Sequence, residues 1–122
     1  MARFELFLLG PPRLQCDGVP LQFGRRKVMA LAAYLAMAGL EAEGRHLSRD
    51  SLVTLFSPDL EPSRAQAVFR RNLSLLRRAL EGEWLVADRK GVGTDPEADF
   101  WLDVDQFARL VHSCETHGHP RE

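Results

Sequence analysis

Several features are scarce in this sequence, and each scarcity excludes something. Only two cysteines occur in 122 residues, Cys16 and Cys114, almost a chain length apart. They form no spaced framework, so a disulfide scaffold is excluded and a reducing, cytoplasmic setting is expected. The longest apolar run, Val28 to Ala38, is far short of the roughly 20 residues that a bilayer-crossing helix needs, so no membrane partner is expected. The first ten residues do not read as an export signal, because Glu5 interrupts a short apolar stretch and no small-residue cleavage site follows. No internal repeat and no low-complexity segment is present. Serine, histidine and carboxylate all occur, but no spacing couples them, so neither an enzyme nor a cofactor is expected.

What remains is globular. The chain is 45% hydrophobic and 27% charged, with 9 Gly and 7 Pro, which suits one compact domain. Its net charge of −1 hides a strong asymmetry. Residues 1–61 balance. Between 62 and 90 stand Arg64, Arg70, Arg71, Arg77, Arg78, Arg89 and Lys90 against Glu81, Glu83 and Asp88. Beyond 90, Arg109 and Arg121 face a clear excess of carboxylates. A basic middle and an acidic end point to an anionic partner on one face.

The opening residues alternate with a period of two. Phe4, Leu6 and Leu8 give a first strand, Leu14 and Cys16 a second, and Val19, Leu21 and Phe23 a third. Asp17-Gly18 between them is a two-residue hairpin signal. An N-terminal antiparallel sheet is therefore expected. The period then becomes helical. Val28, Leu31, Ala32 and Leu35 share a face that Ala38-Gly39 should end. A second helix is expected from Ser48 as N-cap, with Asp50 in its first turn, Leu52, Leu55 and Phe56 inward, and Pro58 after it. The third helix is expected to open with a capping box at Ser63-Arg64-Ala65-Gln66 and to stop before Gly82.

Plotted at about 100° per residue, the third helix divides cleanly. One half holds Leu75, Val68, Ala79, Asn72, Ala65, Leu76, Phe69, Leu80 and Leu73. The other holds Gln66, Arg77, Arg70, Ser63, Ser74, Ala67, Arg78, Arg71 and Arg64. All five arginines lie on one face with no acid among them, whereas solvated helices usually interleave both signs. Next, Trp84 to Ala87 reads as a strand, Asp88 to Gly91 as a turn and Val92 as the start of a return strand. A last apolar segment runs from Phe100 to Leu110, helical from Asp103, and residues 113–122 read as a polar tail.

Other clusters read as structural. Gly91-Val92-Gly93 is too short for a phosphate loop and suits a tight turn. His112, Cys114, His117 and His119 crowd together without the paired spacing of a zinc site, so no metal is expected. Cys16 reads as a small buried hydrophobe. Asp99, Asp103 and Asp105 do not form a calcium loop and read as helix-start acids and a solvated rim.

The order of segments resembles the N-terminal winged-helix domain of the SARP family of bacterial transcriptional activators, itself similar to the DNA-binding domain of OmpR-type response regulators. The resemblance rests on Phe7-Leu8-Leu9-Gly10-Pro11-Pro12, Asp17-Gly18, and Arg26-Lys27 leading to Ala30-Leu31-Ala32-Ala33-Tyr34-Leu35-Ala36. It continues through Ser48-Arg49-Asp50-Ser51-Leu52, Leu73-Ser74-Leu75-Leu76-Arg77-Arg78-Ala79-Leu80 and Trp101-Leu102-Asp103-Val104-Asp105-Gln106-Phe107. The chain departs from the family at Phe56-Ser57-Pro58-Asp59, where members carry tryptophan-proline-aspartate. Val68 replaces a frequent asparagine and Leu75 a frequent basic residue.

The resemblance implies an α+β winged helix-turn-helix with an N-terminal antiparallel sheet, three helices and a C-terminal β-hairpin wing over residues 1–107. Residues 108–122 would begin a helical-repeat activation domain. It also implies sequence-specific binding of double-stranded DNA by a transcription regulator, with the third helix in the major groove, and a dimer on tandem DNA repeats. Helical angle then makes Gln66, Arg70, Ser74 and Arg77 the base-reading candidates. Ser63, Arg64, Arg71 and Arg78 become phosphate contacts, and Arg89 and Lys90 the wing. By the same resemblance, Asp59, Leu60 and Glu61 form a loop for RNA polymerase. The alternative is a winged-helix protein-interaction module that does not bind DNA, a reading that the acidic pI and Leu75 favour.

Overall fold

The computed structural model describes residues 2–41 and 46–116. Strands β1 (Arg3–Phe7), β2 (Arg13–Cys16) and β3 (Val19–Pro20) form the antiparallel opening. Asp17 and Gly18 make the turn between β2 and β3 with φ of 52° and 83°, the geometry that such a two-residue hairpin requires. Phe4, Leu6 and Leu14 point into the core. The sheet is not wholly antiparallel. A distant strand, β7 (Asp99–Leu102), pairs parallel with β1, giving the order β3-β2-β1-β7.

Helix α1 (Arg26–Glu41) buries Val28, Leu31, Ala32 and Leu35 as its period requires. It does not stop at Gly39. A Cβ there would lie 2.8 Å from Thr94 Oγ1, so the glycine serves close packing of the helix against the strand that carries Thr94. Helix α2 (Arg49–Phe56) begins where expected, with the Ser48 hydroxyl accepting the Ser51 N–H. Leu52 is buried and Phe56 half-buried, but Leu55 is 51% exposed. A helix of eight residues covers only a narrow stripe, and Leu55 lies outside it.

Helix α3 (Pro62–Ala79) starts two residues earlier than a capping box on Ser63 would place it. Its N-cap is Glu61, whose carboxylate accepts the Ser63 N–H and hydroxyl. Pro62 takes the first helical position, where its missing N–H costs nothing. At the other end Gly82 adopts φ 77° and donates its N–H to the Arg77 carbonyl.

A second sheet has the order β4-β6-β5, from β4 (His46–Ser48), β5 (Leu85–Ala87) and β6 (Gly91–Thr94). The β5–β6 hairpin thus has a third strand that the sequence did not announce. Gly91 and Gly93 belong to its central strand, not to a tight turn. Trp84 lies outside β5, with φ 72°, and is buried. It stacks on Phe100 at 4.4 Å between ring centroids and so ties the two sheets together.

The described chain has four helices, not three. Helix α4 (Asp103–Thr116) includes residues 113–116, which the sequence reading placed in a polar tail. Its first residue is structural: the Asp103 carboxylate accepts the N–H groups of Leu8 and Leu9 at 2.9–3.0 Å, just beyond β1. Residues 106–114 are all exposed.

Gly91 offers a sharp test of the second sheet. A Cβ at that position would meet the Leu47 carbonyl oxygen at 2.6 Å, and backbone cannot swing aside as a side chain can. Gly91→Ala is expected to cost about 1–3 kcal/mol, the usual range for overpacking. Urea unfolding monitored by circular dichroism measures it.

Candidate nucleic-acid interface

The division of α3 into two faces holds residue by residue. Ala65, Phe69, Asn72, Leu73, Leu76 and Leu80 are buried, and Val68, Leu75 and Ala79 are half-buried. The nine residues of the other half, Ser63, Arg64, Gln66, Ala67, Arg70, Arg71, Ser74, Arg77 and Arg78, are all exposed. Among the described residues no α3 arginine forms an ion pair or donates a side-chain hydrogen bond. Half-buried Leu75 packs on the core, so that position serves cohesion.

Two shallow clefts flank α3. The first, about 400 Å³, lies between α2, α3 and the β5–β6 turn, with Gln66, Arg70 and Arg89 on its walls. The second, about 460 Å³, carries Ser74, Arg77 and Arg78, with Arg70 shared between the two. All four base-reading candidates are therefore brought together, and Arg89 joins them. Arg78, a phosphate candidate, lines the second cleft beside them. Ser63, Arg64, Arg71 and Lys90 line neither cleft.

Arg49 lines both clefts and was not among the sequence candidates. It is the first residue of α2, where the helix dipole favours an anion, and that mismatch was the available signal. Its Nε donates to the Asp88 carbonyl at 2.7 Å, and its backbone N–H donates to the Lys90 carbonyl at 3.0 Å. Arg49 thus fastens the β5–β6 turn to the start of α2 and leaves a guanidinium beside Arg70.

The turn is also braced from within. Asp88 Oδ1 accepts the N–H groups of Lys90 and Gly91 at 2.8 and 2.9 Å. The bond from Gly91, then that from Lys90, holds its carboxyl below the ordinary carboxylate range. At the other loop, between α2 and α3, Asp59 is exposed and Leu60 half-buried. Glu61 is committed to the α3 N-cap, and hydrogen bonding to Ser63 lowers its pKa.

No group of three or more metal-ligating side chains gathers among the described residues. His112 and Cys114 lie along α4, while His117 and His119 lie outside those residues. Cys16 is half-buried in β2; burial raises its thiol pKa, with Asp17 contributing next. Asp99 pairs with Arg3 at 3.1 Å and Asp105 with Arg109 at 3.3 Å. No described helix is long and apolar enough to cross a membrane.

Asp88→Ala removes both acceptor contacts, and Arg49→Ala the one that anchors the turn. Each is expected to speed hydrogen exchange at the Lys90 and Gly91 amides while leaving α1 and α3 protected. Acid gives the same result in wild type. A lowered carboxylate pKa stabilises above its unfolded value of about 3.9, and that contribution is lost as pH falls through the folded value. Protection at both amides should therefore hold above pH about 4 and decline below it, which exchange measured by NMR across that range would follow.

No protein-family model and no curated protein matches the chain. Among solved structures it is similar to Mycobacterium tuberculosis EmbR, determined in complex with a low-affinity phosphopeptide, with a TM-score of 0.63 and 29% sequence identity. The match covers 78% of this chain and 26% of that one, so this chain spans about a quarter of the EmbR chain. Its mixed α+β architecture, with two sheets and four described helices, is of the EmbR kind.

Proposed function

We propose that this chain binds duplex DNA with sequence preference, as the DNA-binding domain of a transcription regulator with winged-helix character. The observation that carries the reading is the exposed, unpaired arginine face of α3, continued by Arg49 and by Arg89 on the wing. Phosphate neutralisation needs clustered positive charge. An α-helix about 10–12 Å across fits a major groove about 12 Å wide. The likeness to EmbR and the resemblance to SARP activators support the same reading, as does the partition of charge away from the acidic C-terminal third. In this reading Arg70, Ser74, Arg77 and Gln66 face base edges, and Ser63, Arg64, Arg71 and Arg78 hold phosphates. Arg89 and Lys90 reach the backbone or minor groove. The domain acts by binding, without catalysis, and pairs on tandem repeats.

The first experiment is a gel shift with random duplex at low salt, followed by selection of bound sequences from a random library. Retention of duplex supports the reading. A protein that ignores duplex is an interaction module instead, a reading that the phosphopeptide in the EmbR structure gives some ground.

On a selected operator, Arg70→Ala or Arg77→Ala should each weaken binding by about 1–3 kcal/mol and relax preference at one base pair. Arg89→Ala should weaken all sequences alike. With about five of the basic side chains on phosphate, log Kobs against log salt should fall with a slope of roughly −4 to −5. A slope near zero places the arginine face away from nucleic acid.

The α2–α3 loop gives a separate outcome, because it lies at the N-terminal end of α3 and presents Asp59 to solvent. Asp59→Ala or Leu60→Ala is expected to reduce transcription activation in a reporter assay and leave operator affinity unchanged. Equal loss of both would put the loop on the DNA side, not on RNA polymerase.

A further inference from the structure

The start of α1 repeats the mismatch found at α2. Arg26 and Lys27 open the helix, and its first turn holds no acid, although a helix N-terminus favours negative charge. Lys27 has an explanation: its Nζ donates to the Phe56 carbonyl at 3.0 Å and caps the end of α2. Arg25 and Arg26 are exposed and have no partner among the described residues.

With Arg13 of β2 they line an open groove of about 620 Å³ between the β2–β3 hairpin and the outer side of α1. Leu21, Phe23, Met29, Ala30 and Ala33 supply apolar lining, and no aspartate or glutamate lines it. The Arg13 guanidinium is held 4.1 Å above the Phe7 ring, which fixes its position at the rim. Ala30 and Ala33 lie on the side of α1 opposite the buried Val28, Leu31, Ala32 and Leu35, with half-buried Met29 between the two faces. Helix α1 therefore stands between this groove and α3, and a ligand in the groove does not compete with one on the arginine face.

The shape decides what fits. A strand could in principle add to β3, the edge of the four-stranded sheet. That edge is only Val19–Pro20, and Pro20 has no N–H to offer, so strand addition is poorly served. A helix meets no such obstacle. Arg26 to Ala33 rises about 10 Å, or two turns, and the short side chains of Ala30 and Ala33 allow a close helix–helix approach. Apolar side chains at i, i+3, i+4 and i+7 would reach the floor, with carboxylates beside them for the three arginines. We propose that this groove docks an acidic amphipathic helix of a protein partner, a role independent of DNA binding by α3.

The test uses fluorescence anisotropy with a labelled, helix-stapled model peptide carrying Leu at i, i+3, i+4 and i+7 and Glu elsewhere. Two controls accompany it: the same composition with the leucines scrambled, and the same pattern with Lys for Glu. The intact chain should bind the acidic amphipathic peptide and bind both controls at least about fivefold more weakly. Reversing two exposed charge contacts in the Arg25→Glu/Arg26→Glu variant should likewise cost about fivefold or more. Ala30 is exposed, so Ala30→Glu should abolish peptide binding with an unchanged thermal midpoint. Equal binding of either control, or no binding of the acidic peptide, would overturn the proposal. So would self-association that the arginine reversals suppress, since a second copy would then be the occupant.

Discussion

The structure depends on α3 being two things along one axis. Its inner half must supply core contacts to α1 and α2, and its outer half must carry five arginines without a counter-ion. Burial of Leu76, Leu80, Leu73 and Phe69 anchors the helix, and fully buried side chains of that size contribute about 1.5–3 kcal/mol each. That burial outweighs the mutual repulsion of exposed guanidinium groups, which water and salt screen. An i,i+4 acid on the outer face would relieve the repulsion and at the same time cancel the field. Its absence at every outer position concentrates positive charge on one surface.

The rest of the fold holds that surface in place. The first and last parts of the chain close on each other, because β7 lies parallel to β1 and Asp103 accepts two backbone N–H groups just past β1. A carboxylate accepting N–H donors at a strand end is a strong, charge-assisted contact. It fixes where α4 begins. The stacked Trp84 and Phe100 rings then connect this sheet to the second, so the β5–β6 hairpin is attached to the body at its base and, through Arg49, at its tip.

Charge is partitioned to match. Basic groups that point outward from helix starts, Arg49 at α2 and Arg25 with Arg26 at α1, sit against the local dipole preference. Arg49 is secured by the Asp88 carbonyl beside α3. The α1 pair faces an apolar groove on the opposite side of the same helix. Two cationic surfaces, one polar with shallow clefts and one an apolar groove, lie on different faces.

The sequence by itself determined what short-range periodicity and turn chemistry can determine. The inward and outward halves of α3 follow from a 3.6-residue repeat, the Asp17-Gly18 hairpin from two positions needing positive φ, and the start of α2 from one serine hydroxyl. Only the tertiary structure decided the parallel β1–β7 pairing, the third strand of the second sheet and the use of Asp103 and Arg49. Those contacts join residues tens of positions apart, and nothing in the local pattern of either segment names its partner. Gly39 and Gly91 show the same division. Sequence marks both as helix or turn punctuation, whereas each is a point where another element comes too close for a Cβ. Leu55 and Leu75 complete the contrast: how far a helix is covered depends on what packs against it, and a period gives only the centre of the stripe.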